Sequence, residues 1–241
     1  MRKIESYCTR RFVMQIFQEP CIRDLIVVHI IFAIVCVITL IFPIDLAVGV
    51  RLLSLVIFYN LLLPIYGHYR GHREWLDIWL FVLPLSIFQI LPDWFLSAQL
   101  GALVFPVDGS PMIGDVPLYM AGLWVIPLFV IVFTGVLLKE NQPDWIVILV
   151  VSVISLIIFG VAEENMWRLS WEAAVDVAKF GHVAFYIVIP EIALGASSFI
   201  AYDMVREKGF IWKLFWAYIV MIMYIGNASL FYFLVETVLG A

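Results

Sequence analysis

Glu191 stands in IVIPEIALGASSF, a carboxyl inside an apolar run with a proline directly before it. A charge at the centre of a bilayer costs from about 3 to more than 10 kcal/mol, so an acidic side chain there faces a partner, a cavity or a ligand. Pro190 removes one backbone donor and favours a kink, which frees a carbonyl nearby. Counted from Gly181, Glu191 falls roughly 15 Å along its segment, near mid-depth. This pattern suits proton handling or ligand binding. The plainer alternative is a carboxyl hydrogen-bonded for packing alone.

A second group gathers where VAEENMWRLSW closes one apolar run and His182 opens the next. Two carboxyls, Glu163 and Glu164, beside a histidine can divide the roles of acid and base. Glu164 and Arg168 also have the i,i+4 spacing of a simple surface ion pair. Asp93, in LPDW, and Asp115, before Pro117, are secondary candidates, and Asp115 has a plainer use as a helix cap. The candidate catalytic set is therefore Glu191, Glu163 and His182, with Glu164, Asp93 and Asp115 behind them.

Other polar residues have simpler readings. Asn60 and Asn227 are placed for hydrogen bonds between helices. Arg51 is expected to snorkel and pair with Asp45, and His29 to snorkel toward the opposite face. His68 and His72 are spaced i,i+4, yet sit in a basic, glycine-broken stretch with Glu74 as the one acidic neighbour, which does not make a metal site. Cys8, Cys21 and Cys36 have neither disulfide nor metal spacing. No P-loop or glycine fingerprint is present, so no nucleotide cofactor or nucleic acid is implied. The apolar body of the last segment lacks the lysine that a retinal Schiff base needs.

The elements that position these groups are membrane spans. Hydrophobic residues make up 64% of the 241 and charged residues 14%, with mean hydropathy +1.05, which excludes an ordinary soluble domain. A helix needs roughly 20 apolar residues to cross about 30 Å of hydrocarbon. Seven segments qualify, from about Asp24 to Phe42, Leu46 to Tyr66, Leu76 to Phe95, Pro117 to Leu138, Trp145 to Ala162, Gly181 to Tyr202 and Trp212 to Val238. The runs are continuous and do not alternate, which argues against a barrel. The fold class is an all-α polytopic bundle of about seven transmembrane helices.

Arg2, Lys3, Arg10, Arg11, Arg23, Arg70, Arg73, Lys139, Arg206, Lys208 and Lys213 fall on one side of this arrangement; only Arg51, Arg168 and Lys179 fall on the other. The positive-inside rule then puts the N-terminus in the cytoplasm and the C-terminus outside. The first span has no small-residue cleavage site after it and reads as retained. Residues 1–23 form a tail in which Phe12, Val13, Ile16 and Phe17 share a stripe, suiting a short helix on the membrane surface. Residues 96–116, rich in Gly and Pro and without basic residues, form an outer loop. Every gap is too short for a soluble domain, so residues 1–241 are read as one membrane domain.

The stretches YNLLLPIYGHYRGHREW, LPLSIFQILPDWFL, LVFPVDGSPMIGDVPLYMAGLWVIPLF and GHVAFYIVIPEIALG resemble an uncharacterised family of bacterial multi-spanning proteins, from about Tyr59 to Ala196. That resemblance implies a bacterial inner membrane location and no particular reaction. Gly114, Val116, Pro117, Leu118, Ile126 and Pro127 are also similar to a pattern in the small lycopene cyclases and carotenoid hydratases. The cyclases' Pro-Leu-Glu-Glu string is absent, because Tyr119 and Met120 follow Leu118. This likeness implies an isoprenoid substrate class.

Three functions fit. One is an enzyme doing acid/base chemistry on an isoprenoid or other lipid, with Glu191 or Glu163 donating a proton, His182 assisting, and Trp124, Trp167 and Tyr186 stabilising positive charge. The second is a transporter or proton-coupled carrier using Glu191 beside its proline. The third is a non-catalytic assembly or sensor subunit that meets a membrane-protein partner through its outer loop. Membrane lipids are partners in each, and the first adds a hydrophobic small-molecule substrate.

Overall fold

The computed structural model describes residues 19–42, 45–169, 171–172 and 174–240. Seven helices are long and apolar enough to cross a membrane: α1 (Pro20–Ile41), α2 (Val48–Arg70), α3 (Arg73–Gln99), α4 (Met120–Lys139), α5 (Asp144–Leu169), α6 (Phe185–Val205) and α7 (Phe210–Val238). They coincide with the seven segments legible in the sequence, and the chain is a multi-pass integral membrane protein of all-α class. Residues 1–18, which contain the expected surface stripe, lie outside the described residues. Residues 20–23, read as tail, are the first turn of α1, where proline's missing N–H has no intrahelical partner to lose.

The interior is built by α3, α4 and α6, whose most apolar windows are 50%, 50% and 56% buried, against 17% for α1 and 22% for both α5 and α7. α6 lies against α5, α4 and α7, while α3 lies against α2, α4 and α7; α1 packs on α2. Small residues permit the close approaches, as they do between helices in lipid generally. A Cβ at Gly195 would collide with Ser155 of α5, and one at Gly135 with the Phe199 ring of α6.

One end of the bundle is closed by ion pairs. Asp24 accepts from Arg70 Nε at 2.7 Å and lies 2.9 Å from His72 Nε2. Lys213, almost fully buried, contacts Asp77 at 2.8 Å, and Tyr202 donates to the same carboxyl at 2.9 Å. Lys139 pairs with Asp203. His72 is thus committed to a carboxyl rather than shared with His68. Asn60 bridges helices as expected: its Nδ2 donates to the Gly122 carbonyl at 3.1 Å, and its Oδ1 accepts from Trp79 at 3.2 Å. Arg51 does not pair with Asp45. It donates to the Thr39 and Leu40 carbonyls, 3.2 and 3.5 Å away, at the end of α1 where carbonyls lack intrahelical partners. His29 bonds the Leu25 carbonyl and Tyr59 instead of reaching outward.

The opposite end carries the long connections, and is called the loop end below. Strand β1 (Met112–Ile113) pairs with β2 (Val116–Pro117), and β3 (Lys179–Phe180) with β4 (Val183–Ala184). Backbone bonds between Val104 and Glu172, at 2.8 and 3.0 Å, join the two loop regions. Trp171 stacks on Tyr119 with centroids 5.6 Å apart and meets Phe105 edge-on. Tyr119 donates to Asp108 Oδ2 at 3.0 Å, and burial together with that carboxylate pushes its phenol above the ordinary tyrosine range. These contacts lay an aromatic roof across the loop end.

Gly195→Leu and Gly135→Leu are each expected to cost about 1–3 kcal/mol by overpacking. Gly226→Leu, where an added Cβ meets nothing within 4 Å, is expected to be near neutral. Unfolding midpoints of the purified variants in detergent check both statements.

Candidate functional site

Asp93 of α3, Glu163 of α5 and Glu191 of α6 meet beneath the roof. They are 2%, 7% and 4% exposed, and all three line one chamber of about 30 Å³, room for one or two water molecules. No basic side chain is among the described residues that line it; Trp124, Trp171, Tyr186 and Tyr224 are. Glu163 Oε2 is buried with no hydrogen-bond partner among the described residues. Leaving a buried acceptor in that state costs about 1–3 kcal/mol unless a bound molecule meets it.

Local irregularities bring these side chains inward. Directly after Asp93 and Trp94, α3 widens into a π-helical turn at Phe95–Gln99, a feature frequent at functional sites. α4 breaks at Trp124, between Met120–Leu123 and Val125–Lys139, and the indole Nε1 donates to Asp93 Oδ2 at 3.1 Å. The same ring meets Phe159 at 5.5 Å and Tyr224 at 6.0 Å. Pro190 lies inside α6 immediately before Glu191. Because α6 begins at Phe185, with residues 179–184 forming a hairpin before it, Glu191 is roughly 9 Å along the helix. The mid-depth position inferred from a start at Gly181 is corrected accordingly.

Two larger spaces adjoin the chamber. A groove of about 410 Å³ runs between α4 and α5 on the lipid-facing side, lined almost wholly by apolar groups, and it shares Met120, Trp124, Met166, Trp171 and Glu191 with the chamber. A vestibule of about 360 Å³ at the loop end is half polar and shares Glu163 and Trp171. The chamber therefore lies between an apolar opening and a polar one.

Of the candidates read from the sequence, Asp93, Glu163 and Glu191 converge here. His182 does not line the chamber. It is exposed in the β3–β4 turn, its ring stacked on Trp167 with centroids 5.6 Å apart, and it lines the vestibule with Glu163. Glu164 accepts the His182 backbone N–H at 2.8 Å and closes that turn. The surface pair with Arg168 is not formed, because Arg168 bonds Asn165 and lies over the Trp167 ring. Asp115 is exposed in the β1–β2 turn and caps no helix, since α4 starts only at Met120. Trp167 belongs to the vestibule, while Trp124 and Tyr186 line the chamber.

Sequence reasoning missed Tyr224 and Trp171, which line the chamber, and Gln89, which does not line it. Gln89 is fully buried, one helical turn before Asp93 on the same face of α3, and both of its amide atoms lack partners among the described residues. The Gln-x-x-x-Asp spacing was the available signal. Tyr224 and Trp171 sit among many aromatics and carry no local mark. Among the described residues, no three of His, Cys, Asp and Glu are placed to hold a metal ion.

A family described as a domain of unknown function, DUF6989, matches residues 90–235, a stretch containing all three chamber carboxyls. No curated protein and no solved structure matches the chain.

If Glu164 serves the turn and not the chamber, Glu164→Ala will loosen the β3–β4 hairpin without altering the chamber. Losing about 1 kcal/mol of turn stability raises the open population about fivefold, so trypsin cleavage after Lys179 in detergent should accelerate by a similar factor.

Proposed function

The chain belongs to the DUF6989 family, and we propose that it is an integral membrane enzyme that moves protons on a lipid-soluble substrate. The observation that carries this reading is the position of three buried carboxyls between an apolar groove and a polar vestibule. A transport path would be better served by polar groups spread along the bundle; here the unpaired acids gather at one end, and the ionised pairs of the other end are tied to each other.

Three carboxylates around so small a space repel one another, so the group shares protons as coupled carboxyl sets do. One carboxyl then donates a proton to a substrate double bond, or to a hydroxyl that leaves as water as its C–O bond breaks. Another accepts the proton lost from the neighbouring carbon as a double bond forms there, or, after protonation of a double bond, the proton lost from water as its oxygen bonds to the cationic carbon. The exchange is proton-neutral and needs no oxidant. Glu191 borders the groove and is assigned as the donor; Glu163 borders the vestibule and is assigned as the acceptor. Trp124, Tyr186 and Tyr224 line the chamber, where aromatic rings can stabilise positive charge developing on the substrate. Trp124 also holds Asp93 in place. His182 takes part from the vestibule, outside the contact shell of the substrate.

The concentration of Lys and Arg at the ion-paired end supports an orientation with that end cytoplasmic and the chamber near the outer face, and the resemblance to bacterial multi-spanning proteins supports a bacterial inner membrane placement. An isoprenoid or other lipid is the fitting substrate class, and residues 1–241 act as one membrane domain.

Untargeted mass spectrometry of total lipids tests the reading in cells lacking the protein and cells re-expressing wild type or Glu191→Gln at matched membrane abundance. Wild type is expected to restore a lipid species that the variant does not, with conversion reduced at least about 100-fold, the usual contribution of a general acid. Trp124→Phe should lower conversion about 10-fold, the scale of one hydrogen bond to a charged group. Identical lipid profiles across all strains would overturn the enzymatic reading and turn attention to ion flux.

A further inference from the structure

We infer that the chamber takes neutral, single-chain lipids sideways from the half of the bilayer at the loop end, with the hydrocarbon chain lying in the groove between α4 and α5. This inference rests on the reading of the chamber as a reaction site.

The groove supplies the first part of the argument. Leu123, Ile126, Pro127 and Val130 of α4 form one wall, and Ile158 and Ala162 of α5 the other. From Met120 to Val130 the wall rises roughly 15 Å, about half of the ~30 Å hydrocarbon thickness, so its depth matches the chains of one leaflet. α4 and α5 pack against each other, and helices in contact lie about 8–10 Å apart. The groove along this pair, about 410 Å³, is of a size for one hydrocarbon chain. Its inner end opens on Glu191.

Charge and size supply the second part. A chamber of about 30 Å³ has room for a group the size of one or two water molecules, which excludes a phosphate head. An anion there would also face three carboxyls with no basic side chain among the described lining residues, a repulsive arrangement of the kind that rejects wrong ligands. The vestibule beyond adds Glu172 and Asp176, while its Lys179 donates to the Ala174 carbonyl at 3.0 Å. What remains is a hydrocarbon chain ending in a small uncharged group such as an alkene, alcohol or aldehyde.

Photolabelling in vesicles tests this without any need for turnover. Purified protein in phosphatidylcholine vesicles is irradiated with a long-chain alcohol bearing a diazirine, and adducts are mapped by mass spectrometry. Adducts are expected to concentrate on residues 123–130 and 158–162, to be displaced by the unlabelled alcohol, and to resist displacement by its phosphate monoester. Ala162→Trp, or Val130→Trp on the facing wall, should reduce labelling about tenfold. Adducts spread evenly around the lipid-facing helices, or equal displacement by alcohol and phosphate ester, would overturn the inference. The competition on unaltered protein decides the matter even if both tryptophan variants fail to fold. Groove labelling in a protein that alters no cellular lipid would sink the reaction and keep the binding site; altered lipids without groove labelling would do the reverse.

Discussion

Three carboxyls, carried on α3, α5 and α6, are held inside a membrane bundle with no basic side chain among the described residues that line their chamber. Two unit charges about 5 Å apart repel by about 3 kcal/mol at an effective dielectric of ~20, and removing each from water costs several kcal/mol more. A bundle selected for stability alone has no reason to keep such a group. The neighbouring architecture compensates locally: the indole of Trp124 binds Asp93, and the aromatic roof of Phe105, Tyr119 and Trp171 covers the chamber. The same residues that enclose the acids leave one opening toward lipid and one toward polar surroundings.

The far end of the molecule shows the ordinary solution to the same problem. There the buried Asp24 and Lys213 meet partners of opposite charge, and Tyr202 adds a hydrogen bond to Asp77. The fold can therefore neutralise buried charge where neutralisation suffices. Its two ends divide the work: ion pairs fasten α1 to α2, α3 to α7 and α4 to α6 at one, while the loop end keeps acids without cationic partners. Tight contacts at Gly195 and Gly135 hold α6 against α5 and α4, which fixes Glu191 relative to Glu163.

The spans were legible because the bilayer sets a length and a polarity that each must satisfy, and all seven emerge in the structure close to their expected bounds, except that α5 continues past Ala162 to Leu169. Asp93, Glu163 and Glu191 were legible for a related reason, since acids are conspicuous where lipid makes them expensive. Which of the other polar groups would join them was not. Glu164 adjoins Glu163 in sequence and His182 was read at a similar depth, yet a glycine turn at Gly181, with φ +63°, carries His182 into an exposed hairpin, where Glu164 of α5 accepts its backbone N–H. Asp115 was read as a cap because Pro117 marked a helix start, and the intervening β1–β2 hairpin was too short to leave a periodic signal. Tyr224 and Trp171 reach the chamber through packing of distant segments, which no local pattern encodes.

Access of the buried carboxyls from two solvents is the central claim, and paired carbodiimide labelling with peptide mapping tests it most directly. Protein in phosphatidylcholine vesicles would be treated in parallel with the lipid-soluble dicyclohexylcarbodiimide and with a water-soluble carbodiimide. The account predicts that the lipid-soluble reagent modifies Glu191, which borders the groove, and that the water-soluble reagent modifies Glu163, which borders the vestibule. Modification confined to surface acids such as Glu172 and Asp176 under both reagents, with Glu191 and Glu163 untouched, would contradict it.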